Sequence, residues 1–161
     1  MSENEEWQLV MFTDSDFGGD KDTRISITGY ILYVLGVPIS WKLKSQRSVT
    51  LSSSEVALSE AAKEIKFVAQ IIEALGIKVK LPIIVRVDNV GAIFMTENIS
   101  TSSRSKHIDL RHRYVNEMVE DGFIKIIFVR TNDNDADIFT KNVNGKIYAN
   151  HVDKFIGRLE D

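Results

Sequence analysis

Two aspartates, Asp14 and Asp88, stand where short apolar runs give way to polar chain, and a third, Asp137, comes shortly after another such run. The run WQLVMFT (Trp7 to Thr13) ends in Asp14-Ser15-Asp16, and LPIIVRV (Leu81 to Val87) ends in Asp88. Asp137 closes the polar stretch that follows FIKIIFV (Phe123 to Val129). Alone, each reads as well as a helix cap, a turn residue or a complement to a helix dipole. Brought together, they would be like charges that resist joint ionisation, so convergence implies either raised pKa values or a hard cation. Magnesium takes oxygen ligands, and paired ions roughly 4 Å apart activate water and stabilise the leaving oxygen of a phosphodiester displacement. A calcium-loop reading of Asp133 to Asp137 fails, because Ile138 stands where the sharp turn of that loop needs Gly.

The flanking patterns predict the elements that must carry these acids. Trp7 to Thr13, Ile27 to Leu35 and Pro38 to Leu43 read as a three-strand meander, with a tight turn at Gly36 and Val37. Ser52, Ser53 and Ser54 offer N-cap hydroxyls to a helix with Leu58, Ala61, Ala62, Ile65, Ala69, Ile72 and Leu75 at helical intervals, stopped by Gly76. Leu81 to Val87 reads as a strand buried on both faces, followed by a short helix through Met95. A polar loop at Thr101 to Ser103, a helix ending at Gly122, the strand Phe123 to Val129 and a helix containing Ala136, Ile138 and Phe139 come next. A right-handed crossover sets Leu81 to Val87 parallel to the first strand, on the side away from the meander. The expected fold is an α/β domain with a five-stranded mixed sheet, order 3-2-1-4-5, and helices on both faces. Its crevice opens at the carboxyl ends of the first and fourth strands, where Asp14 and Asp88 lie.

Composition agrees with one domain over residues 1–161, with an acidic, flexible start at 1–6 and a C-terminal helix at 146–160 outlined by Tyr148, Val152, Phe155 and Leu159. The absence of cysteine excludes thiolate metal sites and disulfides, so a metal must be held by Asp, Glu or His. No apolar stretch reaches the roughly 18 residues of a membrane span, which predicts no membrane partner and a cytosolic or nuclear protein. The net charge of -3 does not favour global attraction to nucleic acid, although local basic patches remain. Lys42, Lys44 and Arg47 form one candidate patch for substrate phosphates; Arg104, Lys106, Arg111 and Arg113 form another. Trp41 is expected to pack on the sheet rather than stack on bases.

The strings DSDFGGDKDTRISITGY, PISWKLKSQRSVTLSSSE, ALSEAAKE, VDNVGAI, SRSKHIDLRHRYV and ADIFTK, in this order from about Met11 to Asn142, resemble the ribonuclease H domain of copia-type LTR retrotransposon polyproteins. The resemblance implies a ribonuclease H-like fold and cleavage of the RNA strand of RNA-DNA hybrids during reverse transcription. It also implies magnesium (two ions with substrate, manganese as a substitute) and, as partners, the hybrid and the reverse transcriptase and integrase regions of the same polyprotein. The setting implied is a retrotransposon particle in the cytoplasm, with access to the nucleus. Of the family's four acids, in the order Asp, Glu, Asp, Asp, Asp14 matches the first, Asp88 the third and Asp137 the fourth.

The second acid is the exception. Copia-type domains resemble one another in a Glu-Ala-Glu-Tyr stretch whose later Glu is the site residue, whereas SSSEVALSEA is shorter here by three residues, Glu and Tyr among them. At about 100° per residue the core-facing stripe of the helix projects onto Ser54, with Glu55 to one side and Glu60 on the outer face. Glu55 misses that register by one residue, yet its length and a first turn that can rewind keep it the candidate second ligand, with a first-turn dipole acid as its alternative role. Two other functions stay open: a hybrid-binding or polyprotein-assembly module impaired by the gap, and an integrase or transposase core, which would end its acid set in Glu.

Overall fold

The computed structural model describes residues 5–16, 26–46, 53–89 and 106–140. Within these, strands β2 (Leu9–Asp16), β3 (Ser26–Val34) and β4 (Val37–Gln46) form the antiparallel meander. The turn between β3 and β4 falls one residue earlier than the glycine alone suggests, at Leu35 and Gly36, with φ of 52° and 81°. Two positive φ values in succession match the right-handed twist of the flanking strands. A bond from Leu35 N to Gln8 O, 2.9 Å, ties the turn to the residue before β2.

Helix α1 (Ser53–Ala74) crosses over to β6 (Ile83–Val87), which runs parallel to β2; α2 (Lys106–Glu120) leads to β7 (Ile124–Phe128), parallel to β6. The five-stranded sheet has the order β4-β3-β2-β6-β7, which in chain order within the sheet is the expected 3-2-1-4-5. Both helices end on a glycine of positive φ, Gly76 and Gly122, and close alike. Ile77 N bonds Ile72 O and Gly76 N bonds Glu73 O, while Phe123 N bonds Met118 O and Gly122 N bonds Val119 O. Each pair satisfies carbonyls that the helix end would otherwise leave without partners.

Alternation along the strands divides the core in two. Leu9, Met11, Leu32, Val34, Ile83 and Val85 face α1 and α2, meeting Leu58, Ala61, Ile65, Ala69 and Val115. Each such side chain fully removed from water contributes about 1.5–3 kcal/mol. Phe12, Ile31 and Tyr33 face the other way, against Ala136, Val10, Val129 and Phe139. That second layer is closed by a 3-10 turn at Thr131–Asp133 and a short helix, α3 (Asp137–Thr140).

Several boundaries differ from the expectations. Trp7 does not begin β2; with Glu6 it forms β1 (Glu6–Trp7), a two-residue strand parallel to β5 (Lys78–Val79), so Glu6 is not part of a loose start. Leu81 and Pro82 precede β6 rather than belonging to it, and β6 alternates, with Ile83, Val85 and Val87 buried and Ile84 and Arg86 half-buried. The expected sheet packing of Trp41 is overturned: it lies on β4, which among the described residues pairs with β3 alone and so forms an edge, and is 61% exposed. The helix expected through Met95, the loop Thr101 to Ser103 and the C-terminal helix at 146–160 lie outside the described residues.

Candidate metal centre

The parallel ladder between β2 and β6 ends at the pair Thr13 and Val87. One residue further along each chain come Asp14 and Asp88, side by side at the same end of the sheet. Asp14 still pairs with Gly29 of β3, and by strand alternation it falls on the face of Val10 and Phe12, the α3 side.

The third acid arrives through a set of buried polar contacts. Asn134 Nδ2 donates to Thr13 O at 3.1 Å, and Asn134 Oδ1 accepts from Ala136 N, also at 3.1 Å. Tyr33 OH donates to Asp135 Oδ2 at 2.8 Å across the second layer. Burial, together with the charge and hydrogen bond of Asp135, holds the Tyr33 phenol well above its ordinary pKa, so it remains a donor. These bonds dock residues 134–136 against the sheet and leave Asp137 in the first turn of α3, facing Asp14.

Close approach of α3 depends on Gly29. A Cβ there would meet Phe139 Cβ at 3.0 Å and Thr140 Cγ2 at 3.1 Å. Thr140, at the end of α3, donates its hydroxyl to Asp14 Oδ2.

One carboxylate oxygen from each of Asp14, Asp88 and Asp137 lies within 4.8 Å of the others. Asp14 and Asp137 are each 3% exposed, and Asp88 is half-buried at the mouth. Buried carboxylates this close repel one another, and an all-oxygen donor set suits a hard divalent cation that would neutralise them. These residues therefore fit the metal that the spacing of acids implies.

Glu55 sits in the first turn of α1, 8% exposed, but is not among the carboxylates that converge. From the same turn of α1, Ser54 reaches the strand ends. Its Oγ lies 3.0 Å from Ser15 Oγ and accepts from Asn89 Nδ2 at 2.7 Å, touching the neighbours of both Asp14 and Asp88.

Of the candidate basic residues, Lys42 and Lys44 are exposed on β4 and line a pocket with Thr28, Gly29, Tyr30, Ala57 and Glu60. Glu60, on the outer face of α1, is ion-paired: Lys42 Nζ lies 3.3 Å from it and Lys63 Nζ 3.7 Å. Partial burial pushes the Glu60 carboxyl up, but the Lys42 hydrogen bond and the charges of Lys44, Lys42 and Lys63 outweigh it and hold the pKa below the ordinary value. Beside it, burial and then the charge of Glu64 push the Tyr30 phenol up to about 12. Arg111 is half-buried in α2, and Arg113 Nε lies 3.8 Å from Glu117. Arg47, Arg104 and the side chain of Lys106 lie outside the described residues.

Sequence reasoning singled out the three acids and offers Asn134 as a cap of the helix containing Ala136, but misses its bond to Thr13, and misses Thr140 and Gly29. The available signal for Thr140 was its place three residues after Asp137, which puts both on one side of a helix. Gly29 sits mid-strand, where glycine often marks a close backbone approach.

A mixed sheet in this order, with helices on both faces and acids at the ends of its central parallel pair, defines a ribonuclease H-like domain. The structure of LC11-RNase H1 in complex with RNA/DNA hybrid superposes with a TM-score of 0.59 over 88% of this chain and 99% of that one, at 11% identity. No protein-family model matches the chain. It is 38% identical over 138 residues, 84% of its length, to the retrovirus-related Pol polyprotein from transposon TNT 1-94 of Nicotiana tabacum. It is 33% identical over 149 residues, 91% of its length, to that from transposon RE1 of Arabidopsis thaliana. The chain belongs with the ribonuclease H domains of such copia-type retrotransposon Pol polyproteins. It spans 10% of the length of each of these two relatives. Among the described residues no helix is long and apolar enough to cross a membrane.

Proposed function

We propose that the domain is a magnesium-dependent endonuclease that hydrolyses the RNA strand of RNA-DNA hybrids, as one module of a retrotransposon polyprotein that also carries reverse transcriptase and integrase. The observation that carries this reading is the convergence of Asp14, Asp88 and Asp137 within 4.8 Å at the end of the β2 and β6 pair. A divalent cation held there would activate water and stabilise the oxygen that leaves the phosphorus. Asp14 and Asp137, both buried, supply fixed negative charge; Asp88, half-buried at the mouth, is placed to meet solvent and substrate. Lys42 and Lys44, exposed on the edge strand, carry positive charge suited to phosphates, though Lys42 shares its charge with Glu60. That one structural relative was solved with a hybrid supports the choice of substrate. The setting proposed with this reading is a retrotransposon particle in the cytoplasm, with access to the nucleus.

A second reading rests on Ser54. Where the resemblance requires a Glu aimed at the strand ends, α1 aims a hydroxyl, and Glu55 stands one position away. A domain so built would bind hybrid and metal but cut slowly.

Cleavage of a labelled RNA-DNA hybrid with magnesium, compared with EDTA and with duplex RNA, tests the first reading. A hybrid-specific, metal-dependent cut abolished by Asp88→Asn supports it. A wild type that binds the hybrid without cutting it supports the second. Glu55→Gln decides the fourth ligand: a loss as severe as that of Asp88→Asn assigns Glu55 to the metal, and wild-type activity removes it.

A further inference from the structure

Two of the three converging acids come from parts of the chain with no covalent reason to stay in register: Asp14 on β2 and Asp137 on α3. The backbone bonds of α3 run along its own axis and do not set its distance from β2, so side-chain contact must fix it. Asn134 anchors the approach to α3 rather than the helix itself. Within α3, Phe139 packs on the second core layer and Thr140 makes a polar link to β2. The Thr140 side chain is 4% exposed; its Oγ1 donates to Asp14 Oδ2 and lies 3.4 Å from the backbone oxygen of Asp137. One hydroxyl therefore touches the carboxylate of one acid and the backbone of another.

The contact has a chemical consequence for Asp14. The carboxylate torsion of Asp is broad and roughly two-fold, so an unconstrained group samples many directions for its lone pairs. A charge-assisted bond to one oxygen is about twice as strong as a neutral one and fixes that rotation. Thr suits the position because in a helix its Oγ1 can rest near the carbonyl three residues back while its γ-methyl packs. Here Cγ2 of Thr140 lies 3.1 Å from where a Gly29 Cβ would be, so the methyl is seated on the sheet.

We infer that Thr140 is a positioning residue of the metal centre: its hydroxyl orients the Asp14 carboxylate and sets the distance between Asp14 and Asp137. The inference rests on the metal-centre reading proposed above. In the string ADIFTK the Asp and the Thr three residues later then act as one unit, ligand and brace.

Manganese binding to the substrate-free protein, followed by water-proton relaxation, reads this out without activity. Thr140→Val keeps the shape and removes the donor; Thr140→Ser keeps the donor. The expected result is a loss of Mn2+ affinity of about 10-fold or more in Thr140→Val, in the range for residues that support metal ligands, with Thr140→Ser within about twofold of wild type. Thr140→Ala, which introduces no bulk, is expected to show the same loss and reports it should Thr140→Val not fold. Wild-type affinity in a folded Thr140→Val or Thr140→Ala overturns the inference and leaves the metal centre standing. Equal losses in the Ser and Val variants, tracking their melting temperatures, also overturn it, since packing alone would then explain them. A wild type that binds no Mn2+ overturns the metal-centre reading and this inference with it.

Discussion

Gly29→Ala is the substitution that most directly tests whether the seat of α3 governs the acids. The added Cβ would lie 3.0 Å from Phe139 Cβ and 3.1 Å from Thr140 Cγ2, both on α3. Carbon pairs prefer about 3.5–4.0 Å, so α3 must retreat by roughly 0.5 Å. Overpacking of this kind costs about 1–3 kcal/mol, and replacing glycine inside a strand returns about 0.5–1 kcal/mol, leaving a net loss near 1 kcal/mol. For a chain of this length that corresponds to a fall in Tm of about 2–4 °C. The larger effect falls on the metal, because Asp137 rides on the displaced helix and magnesium demands near-ideal octahedral geometry. We therefore expect magnesium affinity and hybrid cleavage to drop about 10-fold or more, since displacements of ~1 Å can cost ~100-fold in rate. Urea unfolding and a metal titration on the same preparation measure both. Gly36→Ala provides the control: Gly36 has a φ of 81° with nothing within 4 Å of its Cβ position, so strain should lower stability with no change in metal affinity. If Gly29→Ala matches wild type in both measurements, α3 does not rest on Gly29 and the account of how Asp137 is placed is wrong.

Tyr33→Phe should lower stability by about 1.5–3 kcal/mol, because a buried carboxylate loses a charge-assisted donor. In denaturant melts Asp135→Asn in the same chain should recover part of that loss, and strict additivity of the two would contradict a direct coupling. Glu60 predicts a limb on the acid side. Its folded pKa is lowered, so its stabilising contribution is present above the unfolded pKa, near 4.3, and disappears as pH falls through the folded value. Glu60→Gln should therefore flatten unfolding free energy against pH below about 5, and an unchanged profile would refute the assignment. Ser54→Glu should restore an acid at the strand ends, raising magnesium affinity and hybrid cleavage; lower affinity with an intact fold would show that the hydroxyl, not a missing carboxylate, is what the site uses.

Strand order and the meeting of Asp14 with Asp88 were legible because both follow from local pattern and chain handedness. A meander, a crossover helix and a parallel strand admit few arrangements, and the acids that follow the last paired residues of two adjacent parallel strands must be neighbours. The exposed face of Trp41 was not legible, since apolar character cannot distinguish an edge strand from a central one. Trp7 was misassigned for a related reason. An apolar run has no mark where one sheet ends and another begins, and the break at Gln8 appears only when Glu6 and Trp7 find Lys78 and Val79.

The limits on reading the site follow from range. Glu55 is the candidate fourth ligand only by its length, because the helical wheel already sets Ser54, not Glu55, on the stripe that faces the strand ends. In the folded chain Ser54 does reach the strand ends, at Ser15 and Asn89, but which hydroxyl and amide meet it there is encoded by no periodicity. Thr140 and Asn134 are harder still, because each acts on a residue at the far end of the sequence, Asp14 and Thr13 respectively. The acids carry the charge and can be read from their place on strands. The groups that aim them are ordinary polar residues, and their role exists only once Gly29 lets α3 lie against the sheet.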